Sequence, residues 1–141
     1  MQRIYTAEAT AYGARLGAVV SSDERLDVQL SRPKEMGGDG GPGTNPEQLF
    51  AAGYAACFHS AMRFAVIDLE LPKNALDGSH VTAQVHFLKE GRSDFGLAVE
   101  LTLHAPNLSA DQAAAAMKHT HTICPYSKAT AGNVDVALHV G

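Results

Sequence analysis

The sequence predicts an α+β protein, and three observations carry that expectation. Segments that alternate apolar with polar residues, the signature of half-buried strands, open the chain and return as a hairpin after residue 80. One long alanine-rich stretch with helical spacing lies between them. A second helical stretch then leads to a last alternating segment. Strands, helix, hairpin, helix, strand is the segregated order of α+β architectures. The 141 residues show no repeat and no linker, so the expectation is a single domain over 1–141. A chain of that length buries about 68–70% of its unfolded surface, enough for a core.

Taken in order, Tyr5–Ala11 alternates loosely and Leu26–Leu30 cleanly, with a turn around Gly13–Gly17 between them. The glycine-dense run Met36–Gly43 follows, where no regular element persists. It ends in a helix start that reads in two ways. Asn45 caps, with Pro46 in the first turn and Glu47 at the positive end of the dipole, or Thr44 caps and forms a capping box with Glu47. The helix runs to about Asp68, ahead of the stop at Leu71-Pro72. Its apolar stripe reads Phe50, Tyr54, Cys57, Ala61 and Phe64, which puts Cys57 mid-helix facing a core.

Val81–Phe87 and Leu97–Leu103 alternate with period two about a turn at Glu90–Gly96, a hairpin pattern. A second helix begins near Ser109 and is interrupted at Cys124-Pro125. Pro125 suits the first position of a new short helix, so Cys124 becomes its N-cap. Gly132 closes that helix, and Val134, Val136, Leu138 and Val140 form the last strand.

Composition narrows the function. A net charge of −4, an aromatic content of 6% and the absence of tryptophan argue against nucleic-acid binding and anionic membranes. Leu49–Ile67 is long enough to cross a bilayer, yet His59 and Arg63 make a buried core helix the better expectation. The first residues lack the basic and apolar regions of a secretory signal, so the expected location is cytoplasmic. No metal is expected from the seven histidines: His119 and His121 are two apart and point to different sides of a helix. Ser60 and Ser127 have no G-x-S-x-G setting, and Gly37–Gly43 lacks the GK[ST] ending of a phosphate loop.

Two cysteines, Cys57 and Cys124, are too few for a disulfide scaffold. An isolated buried cysteine is commonly just a small hydrophobe. A helix start, however, lowers a thiol's pKa, which gives Cys124 a modest chemical case. The 67-residue separation does not say whether the sulfurs meet. A thiolate on an apolar stripe also needs a cation, because burial alone raises a thiol's pKa. Arg15 lies in the glycine-flanked turn and Glu47 in the first turn of the Cys57 helix. A carboxylate would hold such a guanidinium, whose five donors exceed what one carboxylate needs. By charge pattern alone the favoured reading of the two is a surface arginine and a helix-start glutamate.

The run Gly43-Thr44-Asn45-Pro46-Glu47-Gln48-Leu49-Phe50-Ala51-Ala52-Gly53-Tyr54-Ala55-Ala56-Cys57-Phe58 resembles the signature of organic hydroperoxide resistance proteins, the Ohr branch of the Ohr/OsmC family. Cys124-Pro125-Tyr126-Ser127 resembles that family's second cysteine motif, and the resemblance covers essentially the whole chain. It implies antiparallel sheets about a long central helix in an intertwined homodimer. It also implies a peroxidase that reduces alkyl and fatty-acid hydroperoxides to alcohols. Cys57 is then the peroxidatic cysteine, Cys124 the resolving one, Arg15 the activator of the thiolate and Glu47 the residue that orients Arg15. Phe50, Tyr54, Phe58 and Phe64 would line an apolar site for the alkyl chain. No cofactor is bound; the implied reductant is a dihydrolipoyl group on a lipoylated carrier protein. The chain departs from the family pattern in two places: Ala14 and Leu16 flank Arg15, and Lys128 stands where asparagine is usual. An OsmC-like peroxidase of broader preference and a non-catalytic redox sensor are the alternatives.

Overall fold

In the computed structural model, which describes all residues 1–141, contacts divide the chain into two units, Met1–Leu49 and Phe50–Gly141. The first holds a three-stranded antiparallel meander, β1 (Ala9–Tyr12), β2 (Ala18–Ser21) and β3 (Asp27–Gln29), with Thr10 opposite Val20 and Val19 opposite Val28. The predicted Tyr5–Ala11 strand therefore starts late, because pairing begins only where β2 supplies a partner. β2 itself escapes sequence reading, since Ala18-Val19-Val20-Ser21 shows no alternation. The β1–β2 turn contains one 3₁₀ turn, Ala14–Leu16, which carries Arg15. Gly17 is required there: a Cβ would stand 1.7 Å from the Tyr12 carbonyl oxygen. Met36–Gly43 is irregular beyond a 3₁₀ turn at Lys34–Met36, and an isolated bridge between Leu30 and Thr44 ends it.

Helix α1 (Pro46–Asp68) starts as the first of the two cap readings requires: Asn45 Oδ1 accepts from the Gln48 N–H at 2.9 Å. The Thr44–Glu47 capping box does not form. The Thr44 hydroxyl donates to the Gln48 side chain at 2.7 Å, while the Glu47 carboxylate is taken by Arg15.

In the second unit the sheet runs β4 (His80–Glu90), β5 (Asp94–His104) and β6 (Asp135–Val140). The β4–β5 hairpin pairs from His80↔His104 to Glu90↔Asp94 and turns through residues 91–93, with Gly91 at φ 60°. The α+β class stands, but the sheet is mixed, because β6 lies parallel to β5. Parallel neighbours need a crossover, and α2 (Ala110–Ile123) with α3 (Pro125–Thr130) supplies it. Ser109 caps α2 in a full capping box with Gln112.

The core joins Tyr54, Phe58, Ala61 and Met62 of α1 to Val99, Leu101 and Leu103 of β5 and to Ala113 and Met117 of α2. This burial takes up only part of the apolar length of α1, five of its 23 residues being buried, and by length and composition the helix would also suit a bilayer. One residue departs from the predicted stripe. Phe64 is 65% exposed. At about 100° per residue it lies about 80° to one side of Tyr54, whereas Met62 lies about 80° to the other, and the core is on Met62's side.

A candidate dithiol site

Cys57 sits in the middle of α1, half-buried, and Cys124 is fully buried at the junction of α2 and α3. Both are thiols, and their sulfurs lie 3.8 Å apart, within hydrogen-bond contact. A disulfide needs about 2.05 Å between sulfurs, so the two must approach further before they bond. The 67-residue gap that sequence spacing left open is closed by packing α3 on α1.

The chain places Cys124 through a change of helix. Its N–H ends α2 on the Thr120 carbonyl at 2.9 Å, and its extended φ and ψ (−62°, 126°) make it the N-cap of α3. Pro125 takes the first position, where no N–H is needed. The next N–H, that of Tyr126, is one of the donors a helix start leaves without an internal partner. It hydrogen-bonds the Cys57 sulfur. The Tyr126 ring lies against Phe50 and Tyr54, with centroids 6.3 and 5.7 Å away. Gly53 makes room for it: a Cβ there would stand 2.9 Å from the Tyr126 hydroxyl.

Burial pushes the Cys57 thiol above its ordinary range, the Tyr126 N–H pulls the other way, and the neighbouring Cys124 adds to the upward push. Burial is the largest of the three, and the net shift is upward.

Beneath the sulfurs runs a buried polar group that the sequence did not single out. The Tyr54 hydroxyl contacts Ser127 Oγ at 3.0 Å and Thr130 Oγ1 at 3.2 Å, and His121 Nδ1 contacts Ser127 Oγ at 2.8 Å. In the sequence Ser127 stood out as the end of the second cysteine motif and as a serine without a G-x-S-x-G setting. Helical spacing, three residues either side of Cys124, was the available signal for His121 and Ser127.

In the first unit Arg15 and Glu47 form a two-pronged ion pair, Nη1 to Oε2 at 2.8 Å and Nη2 to Oε1 at 2.6 Å. The Arg15 guanidinium holds the Glu47 carboxyl below the usual carboxylate range, and the same bonds raise Arg15. The surface-arginine reading gives way to a paired one.

Of the aromatic residues expected against substrate, Tyr54 and Phe58 are fully buried core, Phe50 is partly buried and Phe64 faces out. A cavity of about 570 Å³ lies at the C-terminal end of α1, between Arg63, Ile67, Leu71, Lys73 and Leu76, and none of the four lines it. His119 bonds Asp68 at 2.8 Å and His121 bonds Ser127, so these two histidines turn to different partners. No three His, Cys, Asp or Glu side chains are grouped as metal ligands.

Residues 37–139 match the family model described as OsmC-like protein. An organic hydroperoxide resistance protein of Xanthomonas axonopodis pv. citri is 47% identical over 138 residues, covering 96% of this chain and 93% of that protein. OhrA of Bacillus subtilis, an organic hydroperoxide resistance protein, is 43% identical, over 99% of this chain and 97% of that one. The crystal structure of an organic hydroperoxide resistance protein from Legionella pneumophila superposes with a TM-score of 0.90 at 41% identity, covering 99% of each chain. By the family model and by full-length likeness in sequence and in fold, the chain belongs to the organic hydroperoxide resistance branch of the OsmC-like family.

Proposed function

We propose that the protein is a thiol peroxidase that reduces organic hydroperoxides to alcohols and is recycled by a dihydrolipoyl group. The observation that carries this reading is the 3.8 Å approach of the two reduced sulfurs. Family membership supports a role in organic hydroperoxide resistance, the name its relatives bear.

The cycle balances with those groups alone. Cys57, as thiolate, attacks the peroxide oxygen distal to the alkyl group; the O–O bond breaks, the sulfur becomes a sulfenic acid, and the alkoxide leaves as alcohol on protonation. The Cys124 sulfur then displaces water from the sulfenic acid and closes the disulfide before further oxidation. A dihydrolipoyl dithiol on a carrier protein reduces the disulfide by exchange and leaves as its own disulfide. Arg15, oriented by Glu47, stabilises the Cys57 thiolate and the departing alkoxide. The need for such a cation is physical, since burial alone opposes ionisation of Cys57. Phe50 and the Tyr126 ring offer apolar surface to an alkyl chain.

Two copies form the working homodimer in a reducing cytoplasm, with the exposed Phe64 and Ile67 of α1 available for a second chain to cover.

The test is a dihydrolipoamide-coupled assay with cumene hydroperoxide, a fatty-acid hydroperoxide and hydrogen peroxide. Turnover with the organic peroxides that vanishes in Cys57→Ser is the expected result. Single oxidation without turnover would make the protein a redox sensor instead. Equal rates with hydrogen peroxide would place its preference with the broader OsmC-like enzymes. Cys124→Ser should complete one turnover and then stall; sustained turnover in that variant would defeat the resolving role.

A further inference from the structure

Four hydrogen bonds link buried Tyr54, Ser127 and Thr130 with half-buried His121 under the dithiol, and they need four protons. They are His121 Nδ1 with Ser127 Oγ (2.8 Å), Ser127 Oγ with Tyr54 Oη (3.0 Å), Tyr54 Oη with Thr130 Oγ1 (3.2 Å), and Thr130 Oγ1 with the Ser127 carbonyl (3.0 Å). The carbonyl only accepts, so Thr130 must donate to it. The Tyr54 proton is then the one that reaches Thr130, and the Ser127 proton the one that reaches Tyr54. Three hydroxyls have now used their single protons. The remaining contact, at Ser127 Oγ, is a hydrogen bond only if His121 Nδ1 carries the fourth proton.

The other tautomer, protonated on Nε2, leaves three protons for four contacts. One pair of electronegative atoms about 3 Å apart would then face each other lone pair to lone pair. In a buried setting an unmade hydrogen bond costs about 1–3 kcal/mol. Burial also lowers the His121 pKa, which favours the neutral ring with one proton to place.

The chain of bonds has a fixed location relative to the sulfurs. Ser127 and Thr130 belong to α3, whose N-cap is Cys124, and His121 stands three residues before that cap on α2. Tyr54 stands three residues before Cys57 on α1. Tyr54 is the link that crosses from the helix of one sulfur to the helix of the other. Its two contacts with α3 therefore help to set how far apart the sulfurs are held.

We infer that His121 is a positioning residue for the dithiol: as the Nδ1–H tautomer it heads a one-directional chain, His121 to Ser127 to Tyr54 to Thr130 to the Ser127 carbonyl, that fixes α3 on α1 and holds Cys124 ready to close on Cys57. The inference rests on the reading of Cys57 and Cys124 as a redox pair. It assigns the histidine no contact with substrate.

Two measurements test it, and the first needs no variant. Two-bond ¹H–¹⁵N correlation spectra of the reduced, ¹⁵N-labelled protein report the tautomer of each histidine. His121 protonated on Nδ1, with Nε2 the bare nitrogen, is the expected result; an Nε2–H pattern overturns the inference. The second is the equilibrium between the Cys57–Cys124 pair and a dithiothreitol redox buffer. His121→Leu, which removes one hydrogen bond, should disfavour the disulfide about tenfold, and Tyr54→Phe, which removes two, should disfavour it by more. His121→Asn, whose side-chain amide can donate from near the Nδ1 position, should stay near the wild-type value. An unchanged equilibrium in both disrupting variants, or no rescue by asparagine, overturns the positioning role. The readout is independent of peroxide. A protein with the expected tautomer and shifts that turns over no hydroperoxide would defeat the peroxidase reading alone. Normal turnover with unchanged equilibria would defeat this one alone.

Discussion

Cys57 shows how a few contacts within one helical turn govern a reactive group. Its thiol is raised by burial and lowered by one backbone N–H, and that N–H is available only because Tyr126 sits in the first turn of α3. Gly53→Ala tests the arrangement. Alanine should gain about 1 kcal/mol of helix propensity, but its Cβ would meet the Tyr126 hydroxyl at 2.9 Å and move the ring. We expect the two effects to leave stability nearly unchanged while the Cys57 pKa rises, seen as an upward shift in a thiol-alkylation pH profile. A profile that stays in place would show that Tyr126 tunes nothing. Glu47 gives the second residue-scale prediction. Its folded pKa is depressed by Arg15, so the stabilisation is fully present above the unfolded-state pKa and is lost as pH falls through the folded one. Glu47→Gln should cost about 1 kcal/mol at neutral pH. The difference from wild type should close on acidification through the carboxylate range, as read by urea unfolding at a series of pH values.

At the scale of elements, caps and breakers were legible and partners were not. Asn45 at the start of α1, Ser109 at the start of α2 and the Cys124-Pro125 break all act through residues within three or four positions, so local spacing finds them. The sequence left open which of Thr44 and Asn45 caps α1. That choice depended on Glu47 finding Arg15, 32 residues away. The parallel pairing of β6 with β5 was equally invisible, since alternation marks a strand and not its neighbour. Ser109→Ala should lose the capping box and cost about 1 kcal/mol in chemical denaturation, with the proposed peroxide turnover unchanged because Ser109 caps the end of α2 opposite to Cys124. Phe58→Ala should cost about 3–5 kcal/mol, because its ring is fully buried between α1 and the sheet. Replacing the exposed Phe64 by alanine should cost far less, which separates the observed stripe from the one that spacing alone suggested.

For the whole molecule, the exposed Phe64 and Ile67 lie on the same helix as the buried Tyr54 and Phe58, so α1 presents apolar side chains on more than the face that its own core uses. Under the homodimer proposed above, sedimentation equilibrium should give twice the chain mass, and Phe64→Glu should shift the protein toward monomer. A monomeric wild type would leave those side chains without a partner copy. By itself the sequence determined the α+β class, the bounds of α1, the hairpin, the helix break at Cys124 and, through its two cysteine motifs, the family. These rest on periodicity, capping and short motifs, which are properties of neighbouring residues. Only the tertiary structure decided that the sulfurs meet at 3.8 Å, that Arg15 grips Glu47, and that Tyr54, Ser127, Thr130 and His121 form one connected polar group. Each of those is a contact across dozens of residues or between elements, made by packing rather than by any local pattern.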